Sequence, residues 1–352
     1  MIDTRSYEKE HIDGLKAKHP SLDQALIERC VFAFGLLEAL VNVGLPFVFK
    51  GGTSLLLLLK TPYRLSTDID IVVKPEICTI QSYLDKVAKI FPFTRMEKQV
   101  RKGKSGIPKE HFKFFFQSPC SRKEIHILLD VLYENHGYAK VIGREVRNEL
   151  LLTDKDPIIV QIPTIESILG DKMTAFAPHT TGIEFEYIDS RGMKNEKTLE
   201  VVKQFVDVSK LIEESIDFSD VVTSYDNIVR NEIAYRGIAV SKTDVLMDSF
   251  NMALAIVTKG ELFPNEYQYL LKGIKKIQNH VYGFRLNGET AYLYAAPIML
   301  LCAKLLTGTS SIEIISQDIF SDKKYRSINK LKKLNEPTFN TVAIALRMIQ
   351  VL

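Results

Sequence analysis

Little in this chain of 352 residues points to staples, membranes or extreme charge. Its cysteines are few: Cys30, Cys78, Cys120 and Cys302 lie far apart and form no CxxC pair, which excludes a zinc ribbon or a disulfide framework and suits a reducing compartment. The longest apolar run, residues 291–303, falls short of the roughly 18 residues expected of a spanning helix and contains Pro297. A second apolar stretch, 32–49, is interrupted by Glu38 and Asn42. No apolar segment of a secretory signal follows the first residues, so the expectation is a soluble, cytoplasmic protein with no membrane partner. Charge is nearly balanced, with Lys+Arg 46 against Asp+Glu 43, which excludes a polybasic or strongly acidic protein but not local patches. Residues 1–215 hold 30 basic and 30 acidic side chains and residues 216–352 hold 16 and 13, so the surplus sits in the C-terminal part.

Several catalytic signatures are also missing. There is no GxSxG, no HExxH and no dinucleotide-type GxGxxG. Gly103-Lys104-Ser105 looks like the end of a P-loop, but Lys98 stands where that motif needs its first glycine. No internal repeat and no low-complexity tract is present.

The rest is average globular composition, 46% hydrophobic and 25% charged, in a chain long enough for about two domains. Ser21-Leu-Asp-Gln24 reads as a capping box ahead of an apolar-periodic helix ending near Gly44. Residues 46–49 read as a short buried strand, 53–60 as a buried helix, 67–73 as a strand with alternating faces and 76–90 as a helix. Strands are predicted near 93–101, 110–117 and 124–133, with hairpin-like punctuation over 102–109, and weaker strands over 141–147 and 158–161 that would extend the sheet. From residue 164 the period becomes helical, with helices near 164–177, 197–215, 219–235, 242–258, 265–282, 289–306, 322–334 and 338–351. The fold class is therefore α+β: a mixed sheet flanked by helices over residues 1–215, then an all-helical domain over 216–352.

The most informative segment is Phe47-Val-Phe-Lys-Gly51-Gly52-Thr53-Ser54, with Arg64-Leu-Ser66-Thr-Asp68-Ile-Asp70-Ile downstream. A strand ends at two glycines, which let the backbone turn sharply and approach a ligand. A helix starts there, so its free N–H groups face the turn and form a phosphate cradle, with the hydroxyls of Thr53 and Ser54 nearby. Asp68 and Asp70 stand two apart on a strand and share one face. Two adjacent carboxylates repel unless a hard cation such as Mg²⁺ lies between them, and a triphosphate in the cradle would share that cation. A Gly-Gly pair alone is usually a turn, and Asp-x-Asp alone is usually a solvated strand face. Their combination in this order is much rarer and favours a metal–phosphate site.

This arrangement resembles the nucleotidyltransferase superfamily, and more closely the AbiEii/AbiGii-type nucleotidyltransferase toxins, which carry Arg-x-Ser-x-Asp-h-Asp before the catalytic strand. Two later segments are similar to that family's motifs: Ile168-Leu-Gly-Asp171-Lys172-Met-Thr-Ala175-Phe and Lys203-Gln-Phe-Val-Asp207-Val-Ser-Lys-Leu211. The three motifs, in the family's order, cover residues 47–212. The resemblance implies a nucleotidyltransferase-like fold and transfer of a nucleoside monophosphate from an NTP to an acceptor hydroxyl. It implies that Asp68 and Asp70 hold Mg²⁺, that Gly51, Gly52, Thr53 and Ser54 cradle the phosphates, that Lys172 binds them as a point charge, and that Asp207 helps activate the acceptor. Arg64 and Ser66 would shape the loop, and Asp171 would be a structural neighbour of Lys172. In biology it implies a toxin of a toxin–antitoxin or phage-defence (abortive infection) pair, with a cognate antitoxin and an RNA acceptor, the 3′ end of tRNA.

Asp130 sits inside the apolar strand segment Ile127-Leu-Leu-Asp-Val-Leu132, where an unpaired carboxylate is costly, so it needs a partner. It is the candidate third metal ligand, against the reading of a structural salt bridge. His126, four residues earlier, shares its face but reads as an ordinary surface histidine. Residues 95–113 hold seven basic and two acidic side chains and residues 323–333 hold six cations; both suit a nucleic-acid backbone, though a solvated face explains such runs more often. The aromatic cluster Phe112, Phe114, Phe115 and Phe116 reads as core. Two other classes of function stay open: a small-molecule, antibiotic-type nucleotidyltransferase, and a non-catalytic member of the fold that binds a partner protein or RNA.

Overall fold

In the computed structural model, which describes residues 1–77, 80–99, 107–189, 191–309 and 320–350, the chain divides into two compact units. The first comprises Met1–Ile165 with Asn279–Phe284, the second Glu166–Gln278 with Arg285–Leu352. The hairpin punctuation over 102–109 falls largely outside the described residues, as does Cys78.

Alternating apolar and polar residues build the sheet of the first unit. Helices α1 (Lys9–Lys18) and α2 (Gln24–Asn42) precede strand β1 (Val48–Lys50), helix α3 (Gly51–Leu58) and strand β2 (Ile69–Val73). Helix α4 (Ile80–Val87) leads into β3 (Phe93–Gln99), β4 (Lys109–Gln117) and β5 (Glu124–Tyr133). These make one five-stranded sheet of order β1-β2-β5-β4-β3, in which β2 and β5 are parallel and the other neighbours antiparallel. One face is core. Phe49 opposes Ile71, Ile71 opposes Val131, and Phe112 opposes Leu129, all buried. Phe114 and Phe116 lie on the same face, as expected, and Phe32 of α2 stacks on Phe116 with ring centroids 3.7 Å apart. The other face carries the polar side chains of the same strands.

Some local expectations shift. The cap of α2 is Asp23, whose carboxylate accepts from the N–H groups of Ala25 and Leu26; Ser21 lies too far upstream to do so. Strands β6 (Val141–Glu145) and β7 (Ile159–Pro163) do not extend the sheet but pair with each other as a separate ribbon.

The second unit is predominantly helical: α5 (Ile165–Ala175), a short hairpin of β8 (Glu186–Ile188) and β9 (Lys194–Glu196), then α6 (Thr198–Glu214), α7 (Phe218–Arg236), α8 (Lys242–Val257), α9 (Pro264–Lys276), α10 (Ala291–Thr307), α11 (Arg326–Leu334) and α12 (Glu336–Gln350). The sequence pattern does not mark this hairpin, because three-residue strands leave almost no alternation to read. The boundary expected at 215 falls inside this unit. Helices α5 and α6 group with the later helices because α7–α10 cover their apolar faces: Gly170 abuts Val221 and Tyr225, Ser249 donates to the Met173 carbonyl at 3.2 Å, and α6 packs on α9 and α10. Among the described residues no helix is long and apolar enough to cross a membrane.

Candidate active site

The turn between β1 and α3 is built around an absence of side chains. Gly51 has φ +79°, a conformation that L side chains rarely adopt, and a Cβ there would lie 2.7 Å from Cγ of Asp70. A Cβ on Gly52 would lie 2.8 Å from Oγ of Ser66 and against the Arg64 guanidinium. The two glycines thus let Asp70, Arg64 and Ser66 close onto the first turn of α3. Lys50, the N-cap, supplies no side-chain bond to that turn.

The hydroxyls of Thr53 and Ser54 bond to the backbone nearby. Both are buried; Thr53 Oγ1 donates to the Asp68 carbonyl at 2.6 Å and Ser54 Oγ to the Gly51 carbonyl at 2.7 Å. Their hydroxyl protons are committed to the backbone, so these side chains fix the turn and tie it to the strand carrying the aspartates. Arg64 is buried and donates to the Leu65 carbonyl at 3.1 Å. The loop around it is held from far along the chain: Leu65 N–H donates to the His280 carbonyl at 2.9 Å, and Tyr282 N–H to the Tyr63 carbonyl at 2.8 Å.

Asp68 is exposed and immediately precedes β2; Asp70 is half-buried within it. Register then assembles a row across the polar face. Lys50 opposes Asp70, Asp70 opposes Asp130 on the parallel neighbour, and Asp130 opposes His111. Asp130 has the partner its burial demands: His111 Nδ1 lies 2.7 Å from its Oδ1. No sequence signal points to His111, because only the pairing of β4 with β5 brings it there. His126 instead opposes Phe115, its ring 5.4 Å from the phenyl, about 14 Å along the strand from Asp130 at roughly 3.4 Å per residue. Burial, with Lys113 next, holds the His126 imidazole below its usual pKa.

Lys172 and Asp207 lie in the second unit and meet there. Lys172 Nζ is 2.9 Å from Asp207 Oδ2 and 2.9 Å from the Gln204 amide oxygen; Asp207 is fully buried. The carboxylate neighbour of Lys172 is therefore Asp207 of α6, not the adjacent Asp171. A buried pair with an extra hydrogen bond fixes the ammonium in one place, which a lone lysine on a flexible stem does not achieve.

The donor set fits Mg²⁺ with limits. Carboxylate oxygens are the ligands a hard cation takes, and Mg²⁺ is commonly held by one or two carboxylates, with water and substrate phosphates completing the shell. Among the described residues no three His, Cys, Asp or Glu side chains converge as a metal cluster. Asp68 and Asp70 therefore suffice only as a partial shell, and Asp130 is engaged with His111.

The two basic runs differ. Arg95 pairs with Glu97 and Glu124 and stacks over Phe115 at 3.5 Å, while Lys98 pairs with Glu110. Arg101, Lys102 and Lys104 lie outside the described residues. On α11 and the turn before it, Ile328 and Leu331 are buried while Lys323, Lys324, Arg326, Lys330 and Lys333 are exposed.

Residues 35–273 match the family model described as nucleotidyl transferase AbiEii toxin, type IV toxin–antitoxin system. Among solved structures, the chain is similar to the nucleotidyltransferase toxin MenT4 of Mycobacterium tuberculosis H37Rv, with 12% identity, 94% of this chain and 98% of that chain covered, and a TM-score of 0.49. It is also similar to a putative nucleotidyltransferase from H. pylori, with 15% identity, 81% and 99% covered, and a TM-score of 0.45. No curated protein matches the sequence.

Proposed function

The chain belongs to the AbiEii family of nucleotidyltransferase toxins, and from that membership we propose that it transfers a nucleoside monophosphate from an NTP to the 3′ hydroxyl of an RNA, in particular a tRNA, in a Mg²⁺-dependent reaction. It is a nucleotidyltransferase of a type IV toxin–antitoxin family, so an antitoxin partner and an NTP substrate come with the membership.

The observation that carries the reading is the Asp70 carboxylate seated on Gly51 at the start of α3, with Asp130 in register beside it. N–H groups of the first turn of α3 favour phosphate oxygens. In the reaction, the acceptor oxygen bonds to the α-phosphorus, the bond to the bridging oxygen breaks, and pyrophosphate leaves with the electron pair. Asp68 and Asp70 would hold Mg²⁺, which when bound would supply charge neutralisation at the reacting phosphates. Asp70 and Asp68 hold the reacting centre in place, and Asp130, oriented by His111, is the candidate third ligand beside them. For Lys172 and Asp207 the proposal rests on their motif: Lys172 carries charge for the triphosphate, and Asp207 helps activate the acceptor while fixing Lys172. An RNA acceptor is supported by the family and by the exposed cations of α11, whose field suits a phosphate backbone.

The test is incubation with each labelled NTP, Mg²⁺ and total tRNA, comparing the wild type with Asp70→Ala. Label at RNA 3′ ends that disappears in the variant is expected. Label that persists in Asp70→Ala overturns the assignment of Asp70, and label that goes only to protein or small molecules overturns the RNA acceptor.

A further inference from the structure

On the sheet face that carries Lys50, Asp70 and Asp130, the next rung along β1 and β2 is apolar. Val48 opposes Val72 there, about 7 Å from the Lys50–Asp70 rung. This rung lines a cavity of about 600 Å³, together with Phe47, His136, Val141 and Gln161. The volume is that of a small-molecule site, and the combination of apolar walls with a few polar groups is the usual one for such sites. The cavity also continues a line. Running backward along β1 come the glycine turn at 51–52, then Lys50 opposite Asp70, then Val48 opposite Val72. Lys50 Nζ lies 5.8 Å from the ring centroid of Tyr138, and His136 stacks on Tyr138 at 5.7 Å with 28° between planes. A cation and two aromatic rings thus connect the carboxylate row to the cavity.

We propose that this cavity receives the nucleoside part of the incoming NTP and sets which base is used; the inference rests on the phosphate site proposed at Gly51 and Asp70. A nucleotide has this layout: charged phosphates at one end, then a sugar, then a flat, apolar-faced base with hydrogen-bonding edges. The valines and Phe47 suit the faces of the base. The Gln161 amide offers both a donor and an acceptor to its edge. His136, which lines the cavity and stacks on Tyr138, stacks or hydrogen-bonds according to the base.

The experiment uses the full chain with Mg²⁺ and compares binding of ATP, GTP, CTP, UTP and inorganic tripolyphosphate by calorimetry. Val48→Trp fills the cavity, and Gln161→Ala, at an exposed position, removes the amide without touching the core. In the wild type at least one NTP should bind about tenfold or more tighter than tripolyphosphate. Val48→Trp should erase that advantage and leave tripolyphosphate affinity in place, and Gln161→Ala should compress the differences among the four NTPs. NTP affinities unchanged in both variants overturn the inference alone, including the case in which only transfer to RNA is lost because the pocket holds the acceptor end. A wild type that binds neither NTPs nor tripolyphosphate overturns the proposed phosphate site, and the inference with it.

Discussion

The Asp70 carboxylate occupies the space into which a side chain at residue 51 would project: a Cβ on Gly51 would lie 2.7 Å from Asp70 Cγ. Glycine there serves two purposes. It adopts φ +79° at no steric cost, and it lets the carboxylate rest against the start of α3.

Gly51→Ala should therefore cost about 1–2 kcal/mol of stability from the left-handed backbone. Its larger effect should be on transfer, because a displacement of about 1 Å at a reacting centre reduces rates by about 100-fold. Thermal melting and single-turnover transfer, measured together, separate the two. A variant with wild-type turnover would show that Asp70 need not sit where it does.

Lys172→Met should destabilise the chain by about 3–5 kcal/mol, since it leaves Asp207 as a fully buried carboxylate without its cation. The double change Lys172→Met/Asp207→Leu should recover most of that loss, because both charges are gone. Urea unfolding of the three proteins gives the comparison. A single variant as stable as the wild type would mean that the pair contributes nothing to folding.

His111→Phe removes the partner of Asp130 while keeping a ring on β4. If Asp130 acts in the proposed metal site, the Mg²⁺ concentration for half-maximal transfer should rise about 10–100-fold, the usual effect of losing a partner that orients a ligand. An unchanged Mg²⁺ dependence assigns the His111–Asp130 pair to the sheet alone.

Asp248 of α8 is buried. Its Oδ2 accepts from His179 N–H at 2.8 Å and from Thr180 Oγ1 at 3.0 Å, whereas its Oδ1 has no hydrogen-bond partner among the described residues. Burial raises its pKa above the ordinary 3.8. The folded chain thus holds this proton at pH values where the unfolded chain has released it. Stability from this group is full below about pH 3.8 and is lost as pH rises through the folded-state pKa. Asp248→Asn, which never ionises, should gain melting temperature relative to the wild type as pH rises above about 3.8. A difference that does not vary with pH would contradict this account.

Much of the first unit is legible in the sequence because its signals are local. Two glycines after a hydrophobic strand, a buried helix behind them, and Ile69, Ile71 and Val73 alternating with Asp70 all come from neighbours within a few residues. The helical second half is legible for the same reason, with most ends displaced by a few residues. The backbone acceptors of the Thr53 and Ser54 hydroxyls are not legible, because composition shows that a donor is near a turn but not which acceptor it finds.

The sequence by itself determined the chemistry on offer: Gly51 and Gly52 beside Asp68 and Asp70, and a lysine and an aspartate on later helices. Those motifs depend on period and spacing, which the chain fixes locally. Only the tertiary structure decided how these groups are partnered. It placed Asp130 opposite Asp70 and His111 opposite Asp130, joined Lys172 to Asp207, and brought residues 279–284 back to hold the Arg64 loop. Strand register and buried ion pairs are set by contacts between segments far apart in the chain, where the need to cover apolar faces and satisfy buried polar groups selects one pairing among many.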